Sequence, residues 1–430
     1  CLKSEVKKML KLQILNSEGT IVDSERFQAL KLSARDCIAI YRFLLMMRLF
    51  HEIANREATL DHFTLYIGPR GQEAAEVGSA YALLPQDDIL FYARSQAPAF
   101  VRGVPAKAMF EYFYSYGNAP PHVIDEFITR NVYPPYTAVG IHPPHAVGVA
   151  LAHKLKGEKN IVSVAYFGDG AMAQPDLYSA INWATIYRVP ALFICENNQY
   201  AISTPNDLQS AVPLYQKTIG CGLPTFLIDG NDPFAMYDAT VMMRRTIVES
   251  SYPGALIAET YRMGPHTNAV GAIIPLSQEE TNEAELNDPL TRIRLFFLSS
   301  QAKLFLGLKW DEEKDSALRA SIESKLKNEM SAAFKNAVLI RTEGLKTIAR
   351  NVSINTQPCL RKKYRNIQPT PSPVVKDVSP RDAVNLLFLD ALGYDPDIVC
   401  LGQDIGRAGG VIRTSALHQR FVDEFFPHLE

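Results

Sequence analysis

An aspartate held between two glycines, Gly168-Asp169-Gly170, follows the apolar run Ile161-Val162-Ser163-Val164-Ala165-Tyr166-Phe167. About thirty residues further on, Asn197-Asn198 follows a second apolar run, Ala191-Leu192-Phe193-Ile194-Cys195. If both runs are strands of one parallel sheet, Asp169 and Asn198 arrive at its carboxyl edge, where ligands of such sheets bind. The glycines let backbone approach a ligand closely. A carboxylate, an amide oxygen and a main-chain carbonyl there make half an octahedron for magnesium, and diphosphate oxygens and water can complete it. A lone Gly-Asp-Gly is most often a turn. With a strand before it and Asn-Asn after the next strand, a metal–diphosphate site is the better reading.

Weaker signals sit elsewhere. Arg94 taken alone reads equally well as a surface arginine. His266 follows Gly264-Pro265, where a solvated loop histidine is the default. His142 and His145 bracket Pro143-Pro144 at an i, i+3 spacing that suits a metal, but no third ligand lies nearby and a helix start accounts for both.

Positioning these residues requires a sheet wound with helices. Ser33 to Leu60 carries Ile38, Tyr41, Leu45, Leu49 and Ile53 at helical spacing. Ser33, with Asp36 three residues later, is a capping signal. Further helices are predicted from Gln72 to Leu84, from Ala106 to Tyr116 before Gly117-Asn118, and from Pro143-Pro144 through Lys156, closed by Gly157. Between and after the two apolar strands come helices Pro175 to Tyr187 and Asp232 to Glu249, and strands Thr225 to Ile228 and Ala255 to Ala258. This alternation predicts an α/β fold, a parallel sheet covered by helices on both faces. Helices over Pro289 to Leu306 and Asp311 to Asn336 follow.

At roughly 150 residues per domain, 430 residues suggest two or three domains. Lys+Arg of 44 against Asp+Glu of 46 gives a net charge of -2, which argues against nucleic acid or an anionic membrane as partner. Hydrophobic content of 47% supports a large core and excludes a disordered chain. No apolar run approaches the ~18 residues of a membrane span. Cys1, Cys37, Cys195, Cys221, Cys359 and Cys400 form no Cys-x-x-Cys pair, which fits free thiols in a reducing compartment. Cys1 to Lys11 lacks the apolar core of a signal peptide. With no initiator Met and an abrupt end at Phe425-Phe426-Pro427-His428-Leu429-Glu430, a fragment of a longer chain is expected. Gln357 to Val375 contains Pro358, Pro369, Pro371, Pro373 and the basic Arg361-Lys362-Lys363-Tyr364-Arg365. An exposed interdomain linker is expected there in preference to a docking patch. A new α/β unit is predicted beyond it, with a helix from Pro380 to Leu392, a strand from Ile398 to Leu401 and a glycine-rich loop from Gly402 to Gly410.

Several motifs together carry a family resemblance: Gly71-Gln72-Glu73-Ala74, Gly168-Asp169-Gly170, Glu196-Asn197-Asn198-Gln199-Tyr200-Ala201-Ile202-Ser203-Thr204-Pro205, Asp229-Gly230-Asn231-Asp232 and Tyr261-Arg262-Met263-Gly264-Pro265-His266-Thr267. From about Asn16 to Asn336 the chain resembles the alpha subunit of the thiamine-diphosphate-dependent decarboxylase component of 2-oxo acid dehydrogenase complexes. The resemblance implies a thiamine-diphosphate-binding fold, with magnesium held by Asp169, Asn198 and the carbonyl of Tyr200. It implies cofactor binding by Gly168, Gly170, Arg94 and His266, the last two at positions that meet the diphosphate and the reacting intermediate. His266 would then be catalytic, and Val139 lies near the position that supports the bent cofactor. From about Val378 onward, Asp397-Ile398-Val399-Cys400-Leu401-Gly402-Gln403-Asp404-Ile405-Gly406 and Gly409-Gly410-Val411-Ile412-Arg413 resemble the start of the beta subunit.

The organisation so implied is an N-terminal extension over residues 1–32, the alpha-like domain over 33–336, a linker over 337–377 and a truncated beta-like start over 378–430. The implied activity is decarboxylation of pyruvate or a branched-chain 2-oxo acid, with acyl transfer to a lipoyl-bearing transacylase core. A beta-subunit half, fused or separate, would complete a homo-oligomer or alpha2beta2-like assembly in the cytoplasm or mitochondrial matrix. This fragment alone is expected to be inactive, because the Glu that pairs with the cofactor pyrimidine belongs to the missing beta half. The rival is a non-catalytic structural or regulatory homologue. A transketolase-like enzyme leaves Gly264-Pro265-His266-Thr267 unexplained. Four departures from the family pattern bear on catalysis more than on cofactor binding. Ala93-Arg94 stands for Tyr-Arg, Ala173 and Pro175 flank Gln174 and Asp176, Asn268 to Ile274 lacks paired acids, and Gln403 stands for Glu. Without those acids, Asn268 to Pro275 is expected to be mobile in the absence of cofactor.

Overall fold

Five short apolar segments pair side by side in a parallel sheet: β1 (Asp88–Phe91), β2 (Ser163–Gly168), β3 (Ala191–Asn197), β4 (Thr225–Asp229) and β5 (Gly254–Glu259). Their order is β1-β2-β3-β5-β4. The computed structural model describes residues 9–342 apart from 64, 116–118, 203 and 269–276. The predicted beta-like unit, the Gln357 to Val375 linker and nearly all of the loop after Asn268 lie outside the described residues.

Successive side chains of a strand point to opposite faces, so each strand serves two cores. Val164, Tyr166, Leu192, Ile194, Ile228 and Leu256 enter one, whereas Ala165, Phe167, Phe193, Cys195, Leu227 and Ile257 enter the other. The helices that cover the faces include α1 (Ala34–Thr59), α2 (Glu73–Ala82), α3 (His142–Leu155), α4 (Pro175–Tyr187), α5 (Pro233–Ser250), α6 (Pro289–Leu298) and α7 (Glu312–Lys335). Helices α3 and α4 close the second core with Ala146, Val147, Leu177 and Ile181, and the others close the first. The α/β reading therefore holds, with apolar matter on both faces.

Local signals act as predicted at most helix ends. Ser33 and Asp36 form a reciprocal capping box at α1, with Asp36 N bonded to Ser33 Oγ at 3.2 Å and Ser33 N to Asp36 Oδ2 at 2.9 Å. Gly157, at φ +72°, follows the end of α3. One predicted helix is two: Ser299 is extended between α6 and a second helix, Ser300–Leu306, and its hydroxyl caps Gln301 N at 3.2 Å. A serine offers its side chain as an alternative partner for backbone, which is why it can break a helical run. Strand β1 had no period to betray it, being four consecutive buried residues.

Residues set apart as an N-terminal extension belong to the core. Ile14 and Leu15 are fully buried, and their amides both donate to Asp232 Oδ2 at 2.6 Å. At the other end, residues of the predicted linker also pack here: Ile340 is buried, and Arg341 donates to the carbonyls of Tyr114 and His62. No described helix is long and apolar enough to cross a membrane.

Charged groups tie the elements together beneath the surface. Arg48 of α1 donates to Glu73 Oε1 at 2.5 Å and to the two oxygens of Asp288 at 3.0 and 3.3 Å. Glu73 also accepts the Gly71 amide at 2.8 Å, and Asp288 caps α6. One guanidinium thus joins α1, the turn into α2 and the start of α6. Replacing it leaves two buried carboxylates uncompensated, which typically costs about 3–5 kcal/mol. Arg48→Met should therefore lower stability in urea denaturation by about that much, with part recovered by adding Glu73→Gln. A loss under about 1 kcal/mol, the size of an exposed pair, would show that the knot is not a structural element.

Candidate functional site

The parallel register sets the site. Gly168 at the end of β2 lies opposite Glu196 in β3, so Asp169 and Asn198 emerge at neighbouring strand ends. Asp169 opens a single 3-10 turn, Asp169–Ala173. After Asn198 the chain folds into a small antiparallel pair, Tyr200–Ala201 against Thr204–Pro205. Gly170 packs against that pair: a Cβ there would lie 2.9 Å from the Ala201 Cβ. The segment after β1 brings Arg94, and the segment after β5 brings Arg262 and His266.

These segments enclose a cavity of about 300 Å³. All eight residues named from sequence for the cofactor or metal, Arg94, Val139, Gly168, Asp169, Gly170, Asn198, Tyr200 and His266, line it. Asp169 is 3% exposed and its Oδ2 has no hydrogen-bond partner among the described residues. Burial pushes its carboxyl up to about 6, against the pull of its backbone hydrogen bonds and of Arg262 and Arg94. Asn198 is buried as well, and its Oδ1 accepts the Tyr200 amide at 3.2 Å. Among the described residues no three His, Cys, Asp or Glu side chains cluster to hold a metal. Magnesium needs only one or two carboxylates, its other ligands being carbonyls, waters and phosphate oxygens. The donors present at Asp169 and Asn198 are of that kind.

The remaining charges are positive. Arg94, 2% exposed, donates to Gly68 O at 2.5 Å and to His266 Nδ1 and O at 3.1 and 3.2 Å. Arg262 donates to Ile202 O at 2.5 Å and lies 3.4 Å from the same His266 Nδ1. Burial and Arg94 pull Arg262 down to about 10, which still leaves it protonated at neutral pH. Two guanidiniums against one carboxylate make the lining suited to an anion. Ile67, Val139, Phe167 and Ile202 give the rest of the wall an apolar character.

The tautomer of His266 follows from its neighbours. Guanidinium nitrogens can only donate, so Nδ1 must accept and the neutral ring carries its proton on Nε2. Burial and the charges of Arg94 and Arg262 hold the imidazole down at about 4. His142 behaves differently: its Nε2 bonds Tyr166 O at 2.6 Å and its ring stacks on Tyr136. His145 turns to the Tyr136 hydroxyl, so the histidine pair does not converge on one metal.

Three participants went unassigned in the sequence: Arg262, Gln72 and Glu196. Each lies inside a quoted motif, but its part depends on contacts with other motifs that spacing along the chain does not reveal. Gly71 shows how close those contacts are. At φ +94° its Cβ would sit 2.2 Å from Tyr261 O, so only glycine lets the turn before Gln72 meet the segment carrying Arg262.

His266 should stay neutral, with its proton on Nε2, from pH 8 to about 5.5 in imidazole NMR spectra of the protein. Removing a neighbouring cation raises a histidine pKa, so Arg94→Met should shift its titration upward toward the ordinary value of about 6.5. An unchanged midpoint would exclude Arg94 as a cause of the shift.

Comparison with known proteins identifies the family. Residues 41–339 match the family described as Dehydrogenase E1 component. The pyruvate dehydrogenase E1 component subunit alpha of Staphylococcus epidermidis is 33% identical over 331 residues, covering 76% of this chain and 84% of the relative. The subunit of the same name from Staphylococcus aureus has the same identity and coverage. The family match spans the sheet, most of α1, all of α2 to α7 and every segment that lines the cavity, and the chain is therefore a member of the Dehydrogenase E1 component family.

Proposed function

We propose that this chain is the alpha-type part of a 2-oxo acid decarboxylating component that uses thiamine diphosphate and magnesium. The observation that carries the reading is the buried, unpartnered Oδ2 of Asp169 in a cavity whose other charged groups are two arginines. A bare carboxylate calls for a cation, and surplus guanidiniums call for an anion; a magnesium diphosphate supplies both. The family match and the names of the relatives support it.

Asp169, Asn198 and the carbonyl of Tyr200 would hold the magnesium, with Gly168 and Gly170 giving backbone access. Arg94 and Arg262 would meet the diphosphate. Bound thiamine diphosphate would supply the electron sink that decarboxylation requires. The protein's own contribution is position and charge. His266 presents Nε2–H as a neutral donor to a developing oxyanion, its ring held by Arg94 and Arg262. Val139 and its apolar neighbours would exclude water around the organic part. Pyruvate is favoured as substrate by the relatives' names, with a branched-chain 2-oxo acid retained. The partners would be a lipoyl-bearing core that accepts the acyl group and a beta-type half, fused or separate, within a homo-oligomer or an alpha2beta2-like assembly. The compartment would be the cytoplasm or the mitochondrial matrix. The domain scheme, with a linker and beta-like start after the alpha-like part, belongs to the same proposal.

A second reading, a non-catalytic homologue that keeps the cofactor, is favoured by one feature of the lining. Ala93 places a methyl group beside Arg94 where the family pattern has a tyrosine.

Magnesium with thiamine diphosphate should raise the melting temperature, since ligand at 100 times its dissociation constant adds about 2.7 kcal/mol. Asp169→Ala should abolish the magnesium-dependent part. No shift at millimolar cofactor in the wild type would exclude the reading. Decarboxylation of pyruvate or a branched-chain 2-oxo acid should appear only when a beta-type half is supplied in cis or in trans. Cofactor binding without turnover in that reconstituted state would establish the non-catalytic reading instead.

A further inference from the structure

Gln72 is fully buried at the entry to α2, and its side chain lies between two others. Its Nε2 donates to Glu196 Oε2 at 3.3 Å, and its Oε1 accepts from Asn198 Nδ2 at 3.0 Å. Glu196, also fully buried, accepts from the Tyr92 hydroxyl at 3.0 Å and the Ser95 hydroxyl at 2.7 Å. We propose that Glu196 and Gln72 form a polarity relay that decides which end of the Asn198 amide faces the cavity. Both are then positioning residues for the metal. The proposal rests on reading Asp169, Asn198 and Tyr200 as the metal-binding set.

The two ends of an amide are nearly identical in shape, so its hydrogen-bond partners select its orientation. A carboxylate oxygen that collects donors turns the NH2 end of Gln72 toward itself. The Gln72 oxygen is thereby left for Asn198, which must answer with its own NH2. Asn198 Oδ1 is left on the other side. There it takes the Tyr200 amide at 3.2 Å and retains a second lone pair. If the Asn198 amide were reversed, an NH2 group would face the cation and repel it. The relay is held rigidly: Gln72 N donates to Pro69 O at 2.8 Å, and the adjacent Glu73 is clamped by Arg48.

The test is a double-mutant cycle on the full chain, reading the magnesium concentration that half-saturates the thermal shift at saturating thiamine diphosphate. Gln72→Met keeps the volume and removes both polar ends. It should raise the magnesium midpoint about 10- to 100-fold, the usual loss when a partner of a metal ligand is removed. The cofactor-free melting temperature should change far less. Glu196→Gln, which can face Gln72 with either end, should raise the midpoint in the same direction and serves if Gln72→Met folds poorly. An aspartate has an oxygen at both ends and needs no orientation. The penalty of Gln72→Met should therefore vanish in the Asn198→Asp background, a rescue that a packing role for Gln72 would not produce. Wild-type midpoints in both relay variants, or an equal penalty in the Asn198→Asp background, would overturn the relay alone. No magnesium-dependent shift in the wild type would overturn the metal site together with the relay.

Discussion

The pairing of β2 with β3 is the constraint on which the site depends. Parallel hydrogen bonds place Tyr166 beside Ile194 and Gly168 beside Glu196. A slip of one residue would send every side chain of the strand to the opposite face. It would also move Asp169 out of line with Asn198. The register is secured by burial, because the alternate residues of both strands are committed to different cores. The site therefore inherits its geometry from apolar packing on two sides of the sheet.

Electrostatics at the strand ends is unbalanced by design of the fold, with cations in front and acids behind. Arg94 and Arg262 line the cavity, while Glu76 and Glu196 are fully buried. Burial and the charge of Glu196 push the Glu76 carboxyl well up, and Arg94 pulls it back. Burial likewise pushes Glu196 up, opposed by the Ser95 and Tyr92 hydroxyls and by Arg94. Both carboxyls lie near Arg94 without entering the cavity, so the lining keeps its preference for an anion. His266 stays neutral because it is partly buried and because a third positive charge beside Arg94 and Arg262 is unfavourable.

The buried charges also hold the frame that surrounds this edge. Asp232 caps α5 through Phe234 N and Ala235 N while its other oxygen gathers Ile14 N and Leu15 N. Arg292 reaches Asp229 at the end of β4 and the Leu15 carbonyl. The N-terminal residues, α5, α6 and β4 are thus joined through groups that are costly to leave unpaired. Rigid surroundings of this kind keep Gly71 against Tyr261, and through them Gln72 against Asn198.

Much of this was legible in the amino-acid sequence. The apolar runs before Asp169 and Asn198, the Ser33–Asp36 cap and the prolines and glycines at helix ends are local signals, and local physics suffices to interpret them. They determined the α/β class and picked out Asp169 and Asn198, whereas Arg94, Val139, Tyr200 and His266 were named through the family resemblance. Other features were decided only by tertiary structure. Gln72 and Asn198 are 126 residues apart, and Arg94 and His266 are 172 apart. No periodicity relates positions at such distances. The tautomer of His266 and the orientation of the Asn198 amide depend on which partners the folded chain brings within 3 to 3.5 Å. The N-terminal stretch shows the same division, since nothing in its composition reveals that Asp232 waits for its amides. Sequence determined which groups were available for chemistry, and packing determined their partners, because a hydrogen bond is specified by proximity in space.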